Sequence, residues 1–247
     1  MSNIKDDVIL YLKRFEYISL LFGEKYLYKI MSHYYNREKN DVPYYHISNF
    51  IAWSYTLENK VFFNELEEML KYFHSEKHLQ QYILNPKTRN KLKSMDKVEF
   101  HSIWSEIIFA YHLYKSGLTI LKIGQVKGEA TEKADIITNK GLFEVTTVLS
   151  DKDRYEVGEV FWGSNEIIHE SKKIINDKIK DKKNQNEATN IVIDCTFMDD
   201  ITEKLLTSTV FNFKTDFNVF KKIPKNVFIF TRNNVTQQVA PGLIRKI

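Results

Sequence analysis

The spacing of apolar residues changes near residue 97, and this change constrains the fold more than any other feature of the chain. Before it, apolar residues recur at steps of three and four, which is the spacing of amphipathic helices. The stretches with this spacing are 8–35, 47–57 and 62–84. The first predicts one or two helices, with a break at Gly23 as an option. We therefore expect residues 1–96 to be all-helical, and Pro86 with the polar run 87–93 is the best candidate for a boundary.

Beyond residue 97 the pattern becomes mixed. Residues 98–116 predict a strongly apolar helix that ends at Gly117, because glycine is common just after a helix. An amphipathic helix is predicted over 165–185. Short runs typical of strands lie around it, at 118–126, 134–138, 142–149, 190–197 and 226–231. The sequence therefore predicts an α/β domain with a mixed central sheet over 97–247, preceded by the helical region 1–96.

Composition narrows the class of protein. The 36 Lys and Arg residues against 32 Asp and Glu residues give a net charge of +4, which permits a polyanionic partner without requiring one. The single cysteine, Cys195, excludes intrachain disulfides and metal sites of several thiolates, and we expect it to be a small buried residue. No apolar run approaches the ~18 residues of a membrane span, and charges interrupt the N-terminus. We expect a cytoplasmic protein without a membrane partner.

Three acidic residues fall at informative places in this order: Glu106 in the helix, Asp135 in the second strand and Glu144 in the third. The segments SEIIFAYHLYKSG, KADII and FEVTT, which contain them, resemble the PD-(D/E)XK nuclease superfamily. Its restriction endonuclease-like core is a helix, three strands, a helix and a strand. The resemblance covers about residues 98–197. Ala134 stands in place of the motif's proline, and Thr146 in place of its lysine.

The resemblance implies a Mg²⁺ site, in which Mn²⁺ would be a substitute. Asp135, Glu144 and the backbone carbonyl of Val145 would bind the metal, and Glu106 would contact it directly or through water. Thr146 cannot supply the charge of the motif's lysine. Either another residue supplies it, the metal alone activates the water, or the site is inactive. The helical spacing of 165–185 makes Lys178 the first candidate for a relocated lysine, ahead of Lys182 and Lys172.

A pair of adjacent carboxylates also makes physical sense for phosphodiester hydrolysis. Hard oxygen ligands hold Mg²⁺, which stabilises charge on the attacking and leaving oxygens and lowers the pKa of a bound water. If Asn139 and Lys140 form a two-residue turn, Asp135 lies directly opposite Glu144. A three-residue turn that includes Gly141 would send the two carboxylates to opposite faces of the sheet. The sequence leaves both turns open.

Structural explanations exist for each of these residues. Glu106 could pair with His112 or Lys133, and Asp135 and Glu144 could be exposed residues of an ordinary antiparallel ribbon. The lysines that we consider for nucleic-acid contacts are Lys133, Lys140, Lys172 and Lys182. The last two belong to a Lys-rich helix that is by default a solvated face.

The expected function is that of a magnesium-dependent deoxyribonuclease, an endonuclease that hydrolyses DNA phosphodiester bonds. The resemblance implies a role in restriction, phage defence or a mobile element. Symmetric cleavage of both strands favours a homodimer, and the helical region would contribute DNA contacts or dimerisation. The alternative is a catalytically inactive nuclease-fold protein that acts as a nucleic-acid-binding or sensing subunit. A second alternative is an interaction protein that does not bind nucleic acid.

Overall fold

Eight helices and six strands follow one another along the described part of the chain. The computed structural model describes residues 4–35, 47–56, 58–94, 96–124, 134–149, 189–197, 226–233, 237–239 and 245–246. The helices are α1 (Ile4–Leu12), α2 (Glu16–Phe22), α3 (Glu24–Tyr35), α4 (Ile47–Thr56), α5 (Lys60–Ser75), α6 (Lys77–Leu84), α7 (Pro86–Leu92) and α8 (Lys97–Lys115). The strands are β1 (Ile120–Ile123), β2 (Ile136–Thr138), β3 (Gly141–Leu149), β4 (Thr189–Phe197), β5 (Val227–Phe230) and β6 (Arg245–Lys246). The α/β class predicted from the sequence is confirmed.

The chain divides into two compact units. The first, the helical unit, contains Met1–Tyr111 and Asn233–Gln238, and the second, the sheet unit, contains His112–Arg232 and Val239–Ile247. The sequence placed a boundary between residues 96 and 97, whereas this division falls inside α8. Helix α8 has no glycine or proline between Lys97 and Lys115 that could interrupt it, so a change of neighbours along it leaves no local mark in the sequence.

The N-terminal helices are shorter than the apolar spacing indicates. Residues 8–35 belong to three helices, with breaks at 13–15 and at Gly23, whose φ is +76°. Glu76, with extended backbone, separates α5 from α6 within the predicted stretch 62–84. The break at Gly23 was one of the predicted options. The breaks at 13–15 and at Glu76 were missed because residues on both sides of each are buried at helical spacing.

Pro86 begins a helix instead of marking a boundary. It is the first residue of α7, where the N–H that proline lacks would have had no partner inside the helix. The Asn85 side chain accepts a hydrogen bond of 2.8 Å from the Lys87 N–H and caps this helix. The polar run 87–93, predicted as a boundary, thus lies almost entirely in a helix of the first unit.

Glu67 on α5 caps the first turn of α2. Its Oε1 accepts a hydrogen bond of 2.9 Å from the Tyr17 N–H, and its Oε2 accepts one of 3.0 Å from the Ile18 N–H. The preceding residue, Phe15, provides no side-chain cap. A carboxylate from 49 to 50 residues away therefore does what a local Ser or Asp would do at most helix starts.

Replacing Glu67 by Gln is expected to lower the free energy of unfolding of the helical unit by about 0.5–2 kcal/mol. The amide keeps one acceptor but loses the charge and turns an NH₂ toward a backbone N–H. Urea denaturation followed by circular dichroism measures the loss. Glu68→Gln, at an exposed position next along α5, is the matched control, and an equal loss in both variants would contradict the capping role.

The sheet is mixed, and its strands follow chain order from β1 to β6. β1, β2 and β3 are antiparallel neighbours, β3, β4 and β5 are parallel neighbours, and β6 is antiparallel to β5. Each of the five predicted strands is present, although β1 and β2 are shorter than predicted, and β6 was not predicted. Asp135, which was expected inside the second strand, directly precedes it. The predicted helix 165–185 and the stretch between β4 and β5 lie outside the described residues.

Asn190 fixes the register at the start of the parallel strands. Its Nδ2 donates to the Leu142 carbonyl oxygen at 2.9 Å, and its Oδ1 accepts from Asn226 Nδ2 at 2.7 Å. A Cβ at Gly141 would lie 3.1 Å from Asn190 Nδ2, so glycine leaves room for this amide. The register that results pairs Glu144 with Ile191.

Helix α8 leads into the sheet through a left-handed glycine. Gly117 has a φ of +83°, and its N–H donates to the Tyr114 carbonyl while the Leu118 N–H donates to the Leu113 carbonyl. The predicted helix end is confirmed. None of the helices in the described ranges combines the length and the apolarity that crossing a bilayer requires.

Candidate active site

The turn between β2 and β3 decides where the two predicted metal-binding carboxylates lie. Thr138 pairs with Gly141 and Ile136 pairs with Phe143, so the turn consists of Asn139 and Lys140. The three-residue turn is therefore excluded. Continued by one residue, the observed register places Asp135 opposite Glu144. Both then belong to the face of the sheet that also carries Ile137 and Leu142, which we call the carboxylate face.

Side-chain hydrogen bonds hold this turn. Thr138 Oγ1 donates to the Gly141 carbonyl at 3.0 Å and accepts from the Lys140 N–H at 3.1 Å. Asn139 makes a pair of bonds to Thr119: its N–H donates to the Thr119 carbonyl, and its Oδ1 accepts from the Thr119 N–H, each at 3.1 Å. The register that sets the positions of Asp135 and Glu144 is thus specified by several groups at once.

Asp135 lies just beyond the last paired residue of β2 and extends the hairpin with its side chain. Asp135 Oδ2 accepts a hydrogen bond of 2.9 Å from the Val145 N–H. Its own carbonyl accepts one of 2.7 Å from the Gly124 N–H on the other side. The hydrogen bond from the Val145 N–H attaches the Asp135 carboxylate to the backbone of β3 at the residue after Glu144, and so fixes its orientation.

The same hydrogen bond indicates where the Val145 carbonyl points. The N–H and C=O of one strand residue are directed to the same neighbouring strand. Since the Val145 N–H meets Asp135, the Val145 carbonyl is directed to the same edge of β3, where β2 has ended. Asp135 and this carbonyl, two of the three predicted metal ligands in the sheet unit, thus lie along one short stretch of backbone.

Glu144 lies inside the protein and not on an exposed ribbon, since only 1% of its surface is accessible. Thr146, two residues later on the same face, is half-buried. Two carboxylates opposite each other on neighbouring strands repel, and a low dielectric strengthens the repulsion. A cation near this face, either a metal ion or a basic side chain, would offset the repulsion between the two carboxylates.

Glu106 is buried in the part of α8 that belongs to the helical unit. Among the described residues, no group of three or more His, Cys, Asp and Glu side chains is suited to hold a metal ion. The arrangement that the structure describes is thus a pair of carboxylates with a neighbouring carbonyl. The metal contact of Glu106 stays a prediction.

The predicted lysines have different outcomes. Lys140 is exposed in the β2–β3 turn. The other lysines considered for catalysis or nucleic-acid contact lie outside the described residues: Lys133, Lys172, Lys178 and Lys182.

A buried ion pair in the same unit was missed by the sequence reasoning. Asp194 on β4 and Arg232, two residues after β5, are joined by a contact of 3.1 Å between Oδ2 and Nε, and both side chains are 0% exposed. Burial lowers the pKa of Arg232, and the charge of Asp194 and its hydrogen bond oppose this shift. The only local signal was an acid in the middle of an apolar strand, NIVIDCTF.

Thr196 completes this cluster. Its N–H donates to Asp194 Oδ1 at 3.0 Å, its hydroxyl also donates to that oxygen, and its Oγ1 accepts from the Arg232 N–H at 2.9 Å. Cys195 between them is buried, as predicted, and burial followed by the nearby Asp194 charge raises the pKa of its thiol. A thiol of this kind stays protonated and is a poor nucleophile. By parity along β4, Asp194 points to the face of the sheet opposite the carboxylate face.

The chemistry that this unit supports therefore centres on Asp135, Glu144 and the Val145 carbonyl, which are oxygen donors of the kind that Mg²⁺ prefers. Comparison of the chain with protein-family models, with curated proteins and with solved structures found no match.

Proposed function

We propose that the protein is a magnesium-dependent endonuclease that hydrolyses DNA phosphodiester bonds. The observation that supports this most is the anchored pair Asp135 and Glu144 at the end of the β2–β3 hairpin, with the Val145 carbonyl beside it. Oxygen donors in this arrangement would hold Mg²⁺, with Mn²⁺ as a substitute.

The order of elements agrees with this proposal. Helix α8 is followed by three antiparallel strands and then by a strand parallel to the third, as in the restriction endonuclease-like core. The helix of that core, predicted over 165–185, lies outside the described residues. Asp135 directly precedes the second strand and Glu144 lies on the third, close to the places that the resemblance to PD-(D/E)XK nucleases implies.

The roles of the chain's own residues follow from this geometry. Asp135 and Glu144 would share the metal, and the Val145 N–H would keep the Asp135 carboxylate oriented. Mg²⁺, when bound there, would lower the pKa of a water and stabilise charge on the phosphate. Hydrolysis would form a bond between a water oxygen and phosphorus while one P–O ester bond breaks. The water's proton would pass to solvent, and the departing oxygen would take a proton from solvent.

Further parts of the proposal concern partners and context. Lys133, Lys140, Lys172 and Lys182 would contact the phosphate backbone, and the helical unit would add DNA contacts or form a homodimer. Cleavage would take place in the cytoplasm, in restriction, phage defence or a mobile element. Each of these parts stands on the resemblance and not on a contact within the described residues.

A cleavage assay on supercoiled plasmid DNA tests the proposal. Purified protein with Mg²⁺ is expected to nick or linearise the plasmid, and EDTA is expected to abolish the reaction because the carboxylates alone do not activate water. Mn²⁺ should restore it. Cleavage that persists in EDTA would contradict a metal mechanism, and no cleavage with either metal would contradict the enzyme.

Thr146 favours one alternative, a nuclease-fold subunit that binds or senses nucleic acid without cutting it. A hydroxyl carries no charge, so the position after Val145 lacks the cation that the motif requires. Under this alternative, DNA binds with an affinity that falls with added salt, and no nicking occurs. Binding that does not depend on salt, or no binding, would instead favour an interaction protein without a nucleic-acid partner.

A further inference from the structure

Strand β1 contains a β-bulge that changes which of its side chains share a face. Ile120 pairs with Thr138, but Lys122 pairs with Ile137, the next residue along β2. Leu121 is thus the extra residue, and 54% of its surface is exposed. Without the bulge, residues 120 and 122 would point to the same face, because strand residues alternate. With it, Ile120 and Lys122 point to opposite faces.

The bulge places Lys122 on the carboxylate face. Directly paired residues of an antiparallel ladder share a face, so Lys122 lies on the side of Ile137. Asp135 is two residues from Ile137 on β2 and belongs to the same side. Such diagonal neighbours are roughly 7–8 Å apart at the backbone, within reach of a long side chain. Lys122 is half-buried, as is common for a lysine whose methylene groups pack against the protein while its ammonium group reaches solvent.

The strands next to the two carboxylates bring no second cation to this face. In strands β1 to β5, as far as they are described, the remaining positions of this face are apolar or uncharged. They are Ile137, Leu142, Thr146, Val148, Ile191, Ile193, Val227 and Ile229. The position of Arg245 in β6, opposite Ile229, is three strands away from β3. Asp135 and Glu144 bring the negative charge. Lys122 is the lysine that the pairing of these strands places on their side.

We propose that Lys122 supplies the positive charge that Thr146 lacks, and that its ammonium group contacts the DNA phosphate that would lie beside a metal held by Asp135 and Glu144. This inference rests on the proposed function and names a residue for it. A bulge beside a site is a common device for turning a side chain toward it. Lys122 lies on β1, which is separated from β3 by β2. The residue spacing within the FEVTT segment of β3 therefore could not predict its position.

Steady-state cleavage and metal-supported binding test the role of Lys122 together. In Mg²⁺, Lys122→Met is expected to reduce kcat at saturating DNA by roughly 10²–10³-fold, as when one electrostatic donor to a transition state is removed. Lys122→Arg, which keeps the charge, should retain most of the rate. Lys115→Met, at the exposed end of α8, is the matched control and should cleave as wild type does. A thermal midpoint close to that of wild type separates this effect from a loss of folded protein.

Binding to a short duplex in Ca²⁺ gives a readout that does not need turnover. Loss of one phosphate contact reduces the slope of log affinity against log salt by about 0.9, so Lys122→Gln should show a shallower slope than wild type. An active wild type with an equally active Lys122→Met variant, or an unchanged slope, overturns the role of Lys122 and leaves the nuclease proposal intact. A wild type that cuts no DNA overturns the nuclease proposal, and the slope alone then decides whether Lys122 contacts phosphate.

Discussion

Asp194→Ala is expected to lower the free energy of unfolding of the sheet unit by about 3–5 kcal/mol, the largest effect of any single substitution considered in this protein. The variant removes the partner of a guanidinium whose side chain is 0% exposed and leaves that charge inside the protein. It also removes the acceptor of the Thr196 N–H and hydroxyl. Urea denaturation followed by circular dichroism measures the loss.

The expected loss of about 3–5 kcal/mol reflects the cost of leaving one buried charge without its partner. It does not mean that the intact ion pair contributes this much stability. Desolvation of the two charges offsets most of their attraction. Asp194→Leu combined with Arg232→Met is therefore expected to recover most of the lost stability, because neither charge is then left unpaired. If Asp194→Ala costs less than about 1 kcal/mol, or the double variant is the less stable of the two, Asp194 and Arg232 are not paired in a dry interior.

Asp135→Asn is expected to reduce Mg²⁺-dependent cleavage by at least about 100-fold. Removing a residue that only hydrogen-bonds to a metal ligand costs up to about 100-fold, and removing the ligand itself should cost no less. The amide has the shape of the carboxylate, and its oxygen still accepts the Val145 N–H. The hairpin therefore keeps its register while the metal loses a charged ligand. Glu144→Gln should behave in the same way.

The same variant should be slightly more stable than wild type in metal-free buffer. Opposed like charges on neighbouring strands destabilise a sheet by roughly 0.2–1 kcal/mol, and the amide removes one of them. Mg²⁺ should raise the thermal midpoint of wild type, because a ligand of the native state stabilises it, but should not raise that of Asp135→Asn. Glu68→Gln, at an exposed position in the helical unit, is the control for general effects of lost charge.

A wild-type cleavage rate in Asp135→Asn would remove Asp135 from the metal site and leave it as a structural acceptor for the Val145 N–H. Loss of cleavage together with a large loss of stability would show that the carboxylate is needed for folding, and the assignment would then depend on Glu144→Gln. Lost cleavage without lost stability assigns the Asp135 carboxylate to the site and not to the fold, and the effect of Mg²⁺ on the thermal midpoint tests whether it shares a cation with Glu144.

Local sequence patterns were sufficient to predict whether most of the described segments are helices or strands. Helix α8 was predicted to within one residue at either end, because a continuous apolar stretch and a terminating glycine are both local signals. The breaks at residues 13–15 and at Glu76 show the limit of the same method. Apolar residues continue at helical spacing across both, so the pattern marks a buried side of the chain and not the continuity of a helix.

The sequence named the acidic residues of the candidate site but could not give their geometry. Asp135 and Glu144 were selected by their places on two successive predicted strands after a Glu-bearing helix, and by the resemblance of the segments KADII and FEVTT to PD-(D/E)XK nucleases. Whether they share a face depended on a turn for which Asn139, Lys140 and Gly141 allow two solutions. Contacts with Thr119, twenty residues earlier in the chain, accompany the two-residue turn, and turn propensities do not contain that information.

The sequence by itself determined the α/β class, helix α8 and the positions of strands β1 to β5 to within a few residues, because these depend on periodicity over a few residues. Only the tertiary structure decided the register of the β2–β3 hairpin, the bulge that turns Lys122 to the carboxylate face, and the pairing of Asp194 with Arg232. These features depend on groups that are distant in the chain and adjacent in the sheet. A shift of one residue in strand pairing moves every side chain of a strand to the opposite face of the sheet. Such a shift leaves the sequence pattern unchanged, but it decides which charged side chains lie close together.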